Sequence, residues 1–143
     1  MATATCRPES TPESFQVDFP AEAARLAQVR HALQQWLAQA PISPVLAYDV
    51  VLAAGEACTN AIEHGHHGDG ETVRLSAVLT GSHVRVVVAD RGRWMTPNPA
   101  ADSSRGRGLA MMRALSSKFV VQPSATGTVV DMLIPREGNQ ATR

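Results

Sequence analysis

Residues 56–65 carry the segment Glu56-Ala57-Cys58-Thr59-Asn60-Ala61-Ile62-Glu63-His64-Gly65. On an α-helix, the four-residue spacing of Glu56 and Asn60 places a carboxylate and a carboxamide on one face, about one turn apart. The surrounding run is apolar, and an unpaired carboxylate or amide is costly in a packed interior. The segment therefore predicts a helix whose polar face meets a polar ligand. The plain alternative is a solvent-facing pair on an amphipathic helix.

The hydrophobic pattern on either side of this helix predicts the remaining elements. We expect a strand at 15–19, helices at 21–38 and 45–65, strands at 72–79 and 84–89, a helix at 108–115, and strands at 119–122 and 128–134. This order favours an α+β fold, in which a mixed, mostly antiparallel sheet carries helices on one face.

The chain is expected to form one domain between two tails. Its 143 residues, of which 44% are hydrophobic, suffice for one substantial core. Residues 1–13 are rich in Thr, Ser, Pro and Glu, and residues 136–143 are similarly polar, so both ends are predicted to be flexible. The domain is accordingly placed at 14–135.

Composition excludes several classes of function. Thirteen basic residues balance thirteen acidic ones, so no overall field attracts nucleic acid or an anionic membrane. The only lysine, Lys118, follows no glycine-rich loop, which excludes a P-loop nucleotide site. Cys6 and Cys58 lack a C-x-x-C spacing, which favours a reducing compartment. No apolar run is expected to span a membrane and no secretory signal is recognisable, so we expect a cytoplasmic protein.

Three further segments could carry chemistry. Asp90-Arg91-Gly92 ends a strand, where a carboxylate can accept from a ligand amine, although taken alone this pattern is more often a simple turn. A loop of about fifteen residues, a candidate lid, precedes Arg105-Gly106-Arg107-Gly108-Leu109 at a helix start, where glycines and the helix dipole favour a phosphate. A helix entrance alone would also explain that segment. Gly127-Thr128 precedes the last strand and taken alone indicates a turn.

The four segments together resemble the GHKL superfamily of ATPases and kinases. Their order is E-x-x-x-N-A-x-x-H on a helix, D-x-G after a strand, a long loop ending R-G-x-G-L, and G-T entering a strand. Within that superfamily the chain looks most like the anti-sigma-factor serine kinases of the RsbW type. The branch pattern D-x-G-x-W-x-x-P lies at 90–97, and R-G-R-G-L-x-x-M-R-A-L lies at 105–115. The resemblance spans about 15–134 and implies a two-layer α/β sandwich.

The resemblance also implies roles for individual residues. Asn60 would hold Mg²⁺, which takes few protein oxygens besides phosphate oxygens and water. Glu56 would act as the general base on an attacking hydroxyl. Asp90 would accept the adenine amine, Gly92 would allow the base to approach, and Thr128 would assist through its hydroxyl.

The glycine segment is implied to bind the triphosphate of ATP. Gly106 and Gly108 would wrap it, Arg105 and Arg107 would add positive charge, and Leu109 completes the motif. Plain solvation is the alternative for the arginines. Arg30, on the first helix, matches by position an arginine that related kinases use to contact partner proteins, although an ordinary exposed helix arginine is the stronger expectation.

The implied function is an ATP- and Mg²⁺-dependent serine kinase. It would phosphorylate an anti-anti-sigma (STAS) protein and sequester a sigma factor, with no direct contact to nucleic acid or membrane; the family also favours a homodimer. One departure is Arg93-Trp94, which replaces a second glycine before a short lid at 97–104. It motivates the alternative of a nucleotide-responsive anti-sigma module with little kinase activity. A histidine-kinase catalytic domain is the second alternative, and it ranks last of the three functions.

Overall fold

The computed structural model describes residues 8–65, 72–90, 103–124 and 127–136. Within these ranges the chain forms six strands, three α-helices and one short 3-10 helix at Ala23–Arg25. The strands are β1 (Glu9–Ser10), β2 (Ser14–Pro20), β3 (Thr72–Leu79), β4 (His83–Asp90), β5 (Lys118–Ser124) and β6 (Gly127–Pro135). The helices are α1 (Leu26–Ala38), α2 (Pro44–Gly65) and α3 (Ser103–Leu115).

The described strands form one sheet in the order β1-β2-β3-β4-β6-β5. Each pairing is antiparallel, so the expected α+β fold is confirmed, whereas the mixed character expected for the sheet is absent from these strands. Because β6 lies between β4 and β5, the end of β4 meets the start of β6. The register pairs Asp90 with Thr128 on one side and with Val73 on the other.

One face of the sheet carries the helices and forms the core. Alternate residues of the strands are buried there, as the period of two along a strand requires, for example Val73, Leu75 and Ala77 of β3. Helix α2 packs on β3, β4 and β6, and α1 and α3 pack on α2. Alanines 53, 54, 57 and 61 are fully buried, and their small side chains let α2 lie close to the sheet.

Helix α2 begins with a clear capping pattern. The Ser43 hydroxyl accepts a hydrogen bond from the backbone N–H of Leu46 at 3.1 Å. Pro44 then occupies the first helical position, where its missing N–H costs nothing. The cap fixes the start of the helix, and the apolar run carries it to Gly65.

The expectation of a flexible N-terminal tail through residue 13 is wrong for its last part. Glu9 and Ser10 pair with β2, and the indole N–H of Trp36 donates to the carbonyl of Thr11 at 2.9 Å. The Trp36 ring also lies 5.6 Å from the ring of Phe15. The polar composition of this segment suggested a tail. Composition did not reveal the strand, because backbone pairing at a sheet edge needs no apolar side chain. The other parts of the predicted domain division, with the domain at 14–135, stay a prediction.

The C-terminal boundary also needs a correction at Arg136. Its guanidinium donates to the carbonyls of Thr80, at 2.6 Å, and of Pro41, at 3.0 Å, while its backbone N–H donates to the carbonyl of Ser82. These bonds tie the α1–α2 connection to the β3–β4 turn. Arg136 therefore belongs to the fold, and the predicted tail at 137–143 lies outside the described residues.

Helix α3 starts five residues earlier than predicted, at Ser103 instead of Gly108. Glycine is about 1 kcal/mol less favourable than alanine inside a helix, which is why the two glycines suggested a later start. Packing of α3 on α2 overrides that preference. Residues 105–109 consequently lie within the first two turns of α3. Of the predicted lid at 97–104, Ser103 and Ser104 belong to α3 and the other residues lie outside the described ranges.

One described helix, within Pro44–Glu63, is long and apolar enough to cross a membrane, with a mean hydropathy of 1.3. The expectation that no run approaches this length is therefore wrong. More than half of the stretch is buried inside the domain, as is usual for the core helix of a globular fold, so the hydropathy alone is weak support for a span.

Candidate functional site

The polar face of α2 lies where the sequence pattern predicted it. Glu56 is partly exposed, whereas only 4% of the surface of Asn60, one turn further on, is exposed to solvent. Both lie on a helix whose other face is packed on the sheet. A nearly buried carboxamide beside a partly exposed carboxylate is costly to maintain unless it serves a polar partner.

The second part of the site is the pair of residues where β4 ends and β6 begins. Asp90 is 9% exposed and Thr128 is 1% exposed, and the sheet register places them opposite each other. The Thr128 hydroxyl oxygen has no hydrogen-bond partner among the described residues. A buried hydroxyl without a partner carries a desolvation cost of about 1–3 kcal/mol, which a bound polar group would offset.

Helix α3 contacts the polar face of α2 through Gly108. A Cβ atom placed on Gly108 would stand 2.5 Å from Oε1 of Glu56 and 3.5 Å from its Cδ. The first distance is shorter than real Cβ contacts allow. Gly108 is therefore required because any side chain would displace the Glu56 carboxylate.

The start of α3 supplies a further feature of the site. In a helix that begins at Ser103, the backbone N–H groups of the first three helical residues, 103–105, have no partner within the helix, and they carry the positive end of its dipole. Gly106 and Gly108 follow these residues in the next part of the helix. Leu109 follows Gly108 and is partly buried against the core.

The predicted site residues thus fall into two described groups. Glu56 of α2 and Gly108 of α3 are brought into contact, with Asn60 one turn along α2 and with Gly106 and Leu109 on α3, while Asp90 and Thr128 are brought together by β4 and β6. Gly92 lies outside the described residues, as do the side chains of Arg105 and Arg107. Asp90 belongs to β4 itself, since the strand extends through it.

A groove of about 230 Å³, lined in part by Glu56, opens between α1 and α2. It is lined by Arg30, Gln34, Tyr48, Val51, Leu52, Gly55, Glu56 and Thr59. Tyr48 is 66% exposed, and the neighbouring Val45 is also exposed. Sequence reasoning singled out Arg30 and Glu56 but missed the groove. The available signal was two large apolar residues in the first turns of α2 that lie off its core stripe.

Cys58 does not take part in chemistry. Burial raises the pKa of its thiol to about 12, and the positive charge of Arg30 offsets this only in part. The thiolate is the nucleophilic form, so this cysteine is inert near neutral pH. No group of three or more His, Cys, Asp or Glu side chains suited to a metal occurs among the described residues. A carboxamide oxygen such as that of Asn60 is a type of ligand that Mg²⁺ accepts when phosphate and water complete its shell.

Comparison with known proteins gives a consistent result. Residues 19–134 match the family model of the histidine kinase-like ATPase domain. The structure of the RsbU and RsbW domains of a Mycobacterium tuberculosis protein is similar, with 31% identity and a TM-score of 0.67; the match covers 88% of this chain and 33% of that one. This chain thus spans about a third of that relative.

A second similar structure is the histidine kinase domain of a blue-light activated histidine kinase from Erythrobacter litoralis. It has 20% identity and a TM-score of 0.60, over 86% of this chain and 64% of that one, and this likeness concerns the fold alone. The family match covers the described strands β3–β6, all three helices and both groups of site residues. The chain belongs to the histidine kinase-like ATPase domain family, as the resemblance to the GHKL superfamily predicted, and is an ATP-binding, kinase-like module.

Proposed function

We propose that this chain is an ATP- and Mg²⁺-dependent serine kinase that phosphorylates a STAS-type anti-anti-sigma protein and sequesters a sigma factor. One observation carries the proposal: Glu56 is in contact with α3 and is also open to a groove between α1 and α2. It contacts Gly108 of α3, and Glu56 also lines an open groove. A general base in phosphoryl transfer needs this arrangement, since it must face both the nucleotide and the incoming hydroxyl.

The nucleotide side fits an adenine nucleotide. Asp90 and Thr128 would hold the adenine, because a carboxylate accepts from the exocyclic amine of adenine and would repel the carbonyl of guanine. The partnerless Thr128 hydroxyl supports this role, since a ligand atom or a water could satisfy it. Asn60 would hold Mg²⁺, and the bound ion would neutralise phosphate charge. The start of α3, just before Gly106, would contribute free backbone N–H groups to the phosphates.

The acceptor side is assigned to Glu56. Its carboxylate would take the proton from a serine hydroxyl that enters through the groove, which contributes about 10²–10⁴-fold to the rate. Its partial exposure suits this task, because the acceptor must reach it from solvent.

The partner proteins are assigned to the same groove. Arg30 supplies a positive charge, and the exposed Tyr48 and Val45 supply apolar area of the kind that protein interfaces bury. The similarity to the structure with an RsbW domain supports an anti-sigma partner. A cytoplasmic homodimer completes the proposal and follows from the same resemblance.

The test is phosphoryl transfer from labelled ATP, with Mg²⁺, to a purified STAS partner. We expect label on a serine of the partner, with Glu56→Ala lowering the rate at least about 10²-fold while ATP affinity is retained. Glu22→Ala is the matched control, because Glu22 is an exposed carboxylate whose ion pair with Arg25 contributes little. Equal labelling by wild type and Glu56→Ala would remove the assigned role of Glu56.

Two other outcomes would point to the alternatives. Binding of ATP and of the sigma factor without transfer to the partner favours the nucleotide-responsive anti-sigma module. Label that appears on histidine, identified by its lability in acid, favours a histidine-kinase catalytic domain.

A further inference from the structure

One row of paired residues crosses the sheet at the level of Asp90. The register pairs Phe19 of β2 with Val73 of β3. Val73 is paired in turn with Asp90 of β4, and Asp90 is paired with Thr128 of β6. All four side chains are 9% exposed or less. Residues directly opposite each other in antiparallel strands have Cβ atoms about 4.5–5.5 Å apart, so Asp90 has two close lateral neighbours, Thr128 on one side and Val73 on the other.

Val73 differs from the other buried residues of β3 in what lies beside it. Leu75 and Ala77 have apolar neighbours on β4, namely Val88 and Val86. Val73 instead lies opposite a carboxylate. Its side chain is fully buried, so it cannot contact a ligand directly. Any influence of Val73 on a ligand must therefore pass through Asp90.

Neither lateral neighbour donates a hydrogen bond to the Asp90 carboxylate. The side chain of Val73 has no donor, and the hydroxyl of Thr128 has no hydrogen-bond partner among the described residues. An ionised carboxylate only accepts hydrogen bonds, so a donor at residue 73 would compete with a ligand amine for its oxygens. The residues beside Asp90 in the sheet thus leave its oxygens to donors from elsewhere.

We propose that Val73 is a positioning residue for adenine recognition, which acts by denying the Asp90 carboxylate a competing donor from β3. The inference rests on the proposed function, because there Asp90 accepts the exocyclic amine of adenine. Threonine has nearly the shape of valine but carries a hydroxyl in place of one methyl group. At residue 73 that hydroxyl donates to Asp90, and the adenine amine then meets a carboxylate that is already engaged.

The test is the affinity of Val73→Thr for two nucleotides, measured by calorimetry in the presence of Mg²⁺. ATP carries the exocyclic amine, whereas purine riboside triphosphate lacks it. We expect Val73→Thr to weaken ATP binding about fivefold, the fold-change that one net hydrogen bond gives, and to leave the affinity for purine riboside triphosphate unchanged. A residue that serves only to pack the core would affect both nucleotides equally.

Val86→Thr is the matched control. Val86 is as buried as Val73, and its cross-strand neighbours Ala77 and Met132 are apolar. Its new hydroxyl finds no polar side chain beside it, so Val86→Thr should lower the unfolding temperature more than Val73→Thr does, while the ratio of the two affinities keeps its wild-type value. Val73→Ala adds no donor and should also keep that ratio.

The inference is overturned if Val73→Thr weakens both nucleotides equally or neither of them, or if Val73→Ala changes the ratio as much as Val73→Thr. A wild type that binds both nucleotides equally, or binds neither, refutes the role of Asp90 at the amine and this inference with it. Failure to label a STAS partner refutes the kinase alone, because these affinities are measured without an acceptor.

Discussion

Gly108→Ala is the sharpest perturbation of the site because the distance involved is known. The new Cβ would stand 2.5 Å from Oε1 of Glu56, whereas ordinary contact begins at 3.4 Å, so the carboxylate must move by 3.4 − 2.5 = 0.9 Å. A misplacement of about 1 Å in a reacting group can cost about 10²-fold in rate. We therefore expect phosphoryl transfer to fall by about 10²-fold.

The same substitution should change stability little. The displaced atom lies at the end of a flexible side chain, so moving it costs about 0.5–1.5 kcal/mol in rotamer energy. Replacing glycine by alanine inside a helix contributes about 0.8–1.0 kcal/mol in the opposite direction. The two nearly cancel, and the free energy of unfolding should change by less than about 1 kcal/mol.

Initial rates at saturating ATP, together with urea unfolding, measure the two effects separately. Gly81→Ala serves as the control for adding a methyl group in open space. In a Glu56→Ala background, Gly108→Ala should no longer affect the rate and should stabilise the helix by about 1 kcal/mol. If Gly108→Ala slows transfer or changes stability equally in both backgrounds, the contact between Gly108 and Glu56 is not the cause and this reasoning fails.

Three further predictions concern groups outside that contact. Thr128→Val removes the partnerless buried hydroxyl, so the free energy of unfolding should rise by about 1 kcal/mol while ATP affinity falls, and unchanged affinity in calorimetry would contradict its place beside the adenine. Burial raises the pKa of the Asp49 carboxyl from its ordinary 3.8, so the folded protein holds that proton more tightly than the unfolded chain does. The free energy of unfolding therefore falls as the pH rises from 3.8 through the folded pKa. Asp49→Asn should therefore stabilise the protein by less than about 0.5 kcal/mol at pH 7, an advantage that urea unfolding should no longer detect below pH 3.8. In a Cys6→Ser protein, Cys58 should react with a thiol reagent at pH 8 only as fast as the fold opens, because burial raises its pKa to about 12; rapid reaction of the folded protein would contradict its burial.

The elements that sequence predicted best are those whose pattern is local. Strand β3 was expected at 72–79 and lies at Thr72–Leu79, because Val73, Leu75 and Ala77 alternate with polar neighbours and face the core. Helix α2 was expected at 45–65 and lies at Pro44–Gly65, since its apolar run needs no distant information.

The errors concern features that depend on contacts between distant parts of the chain. Strand β1 exists because a polar segment finds the edge of β2 and the indole of Trp36. The early start of α3 depends on packing against α2, which outweighs the low helix propensity of its glycines. Arg136 is held by carbonyls that lie 56 and 95 residues away in the sequence.

The candidate site divides in the same way. The Glu56 and Asn60 pair follows directly from a four-residue spacing on one helix. The Asp90 and Thr128 pair requires the register of β4 against β6, which no local pattern contains and which the motif resemblance alone anticipated. The groove beside Glu56 was missed because residues of two separate helices line it. One of these residues, Gly55, has no side chain.

Helix α2 explains why the fold and the site are linked. Its buried alanines set how close the helix lies to the sheet, and Glu56 and Asn60 on the same helix inherit that position. One of its contacts depends on a missing side chain, that of Gly108 of α3 against Glu56. A substitution at Gly108 can therefore favour the helix and still harm the site, since alanine improves helix propensity while it displaces the Glu56 carboxylate. Stability measurements alone would miss such damage, so each variant needs both an unfolding curve and a transfer rate.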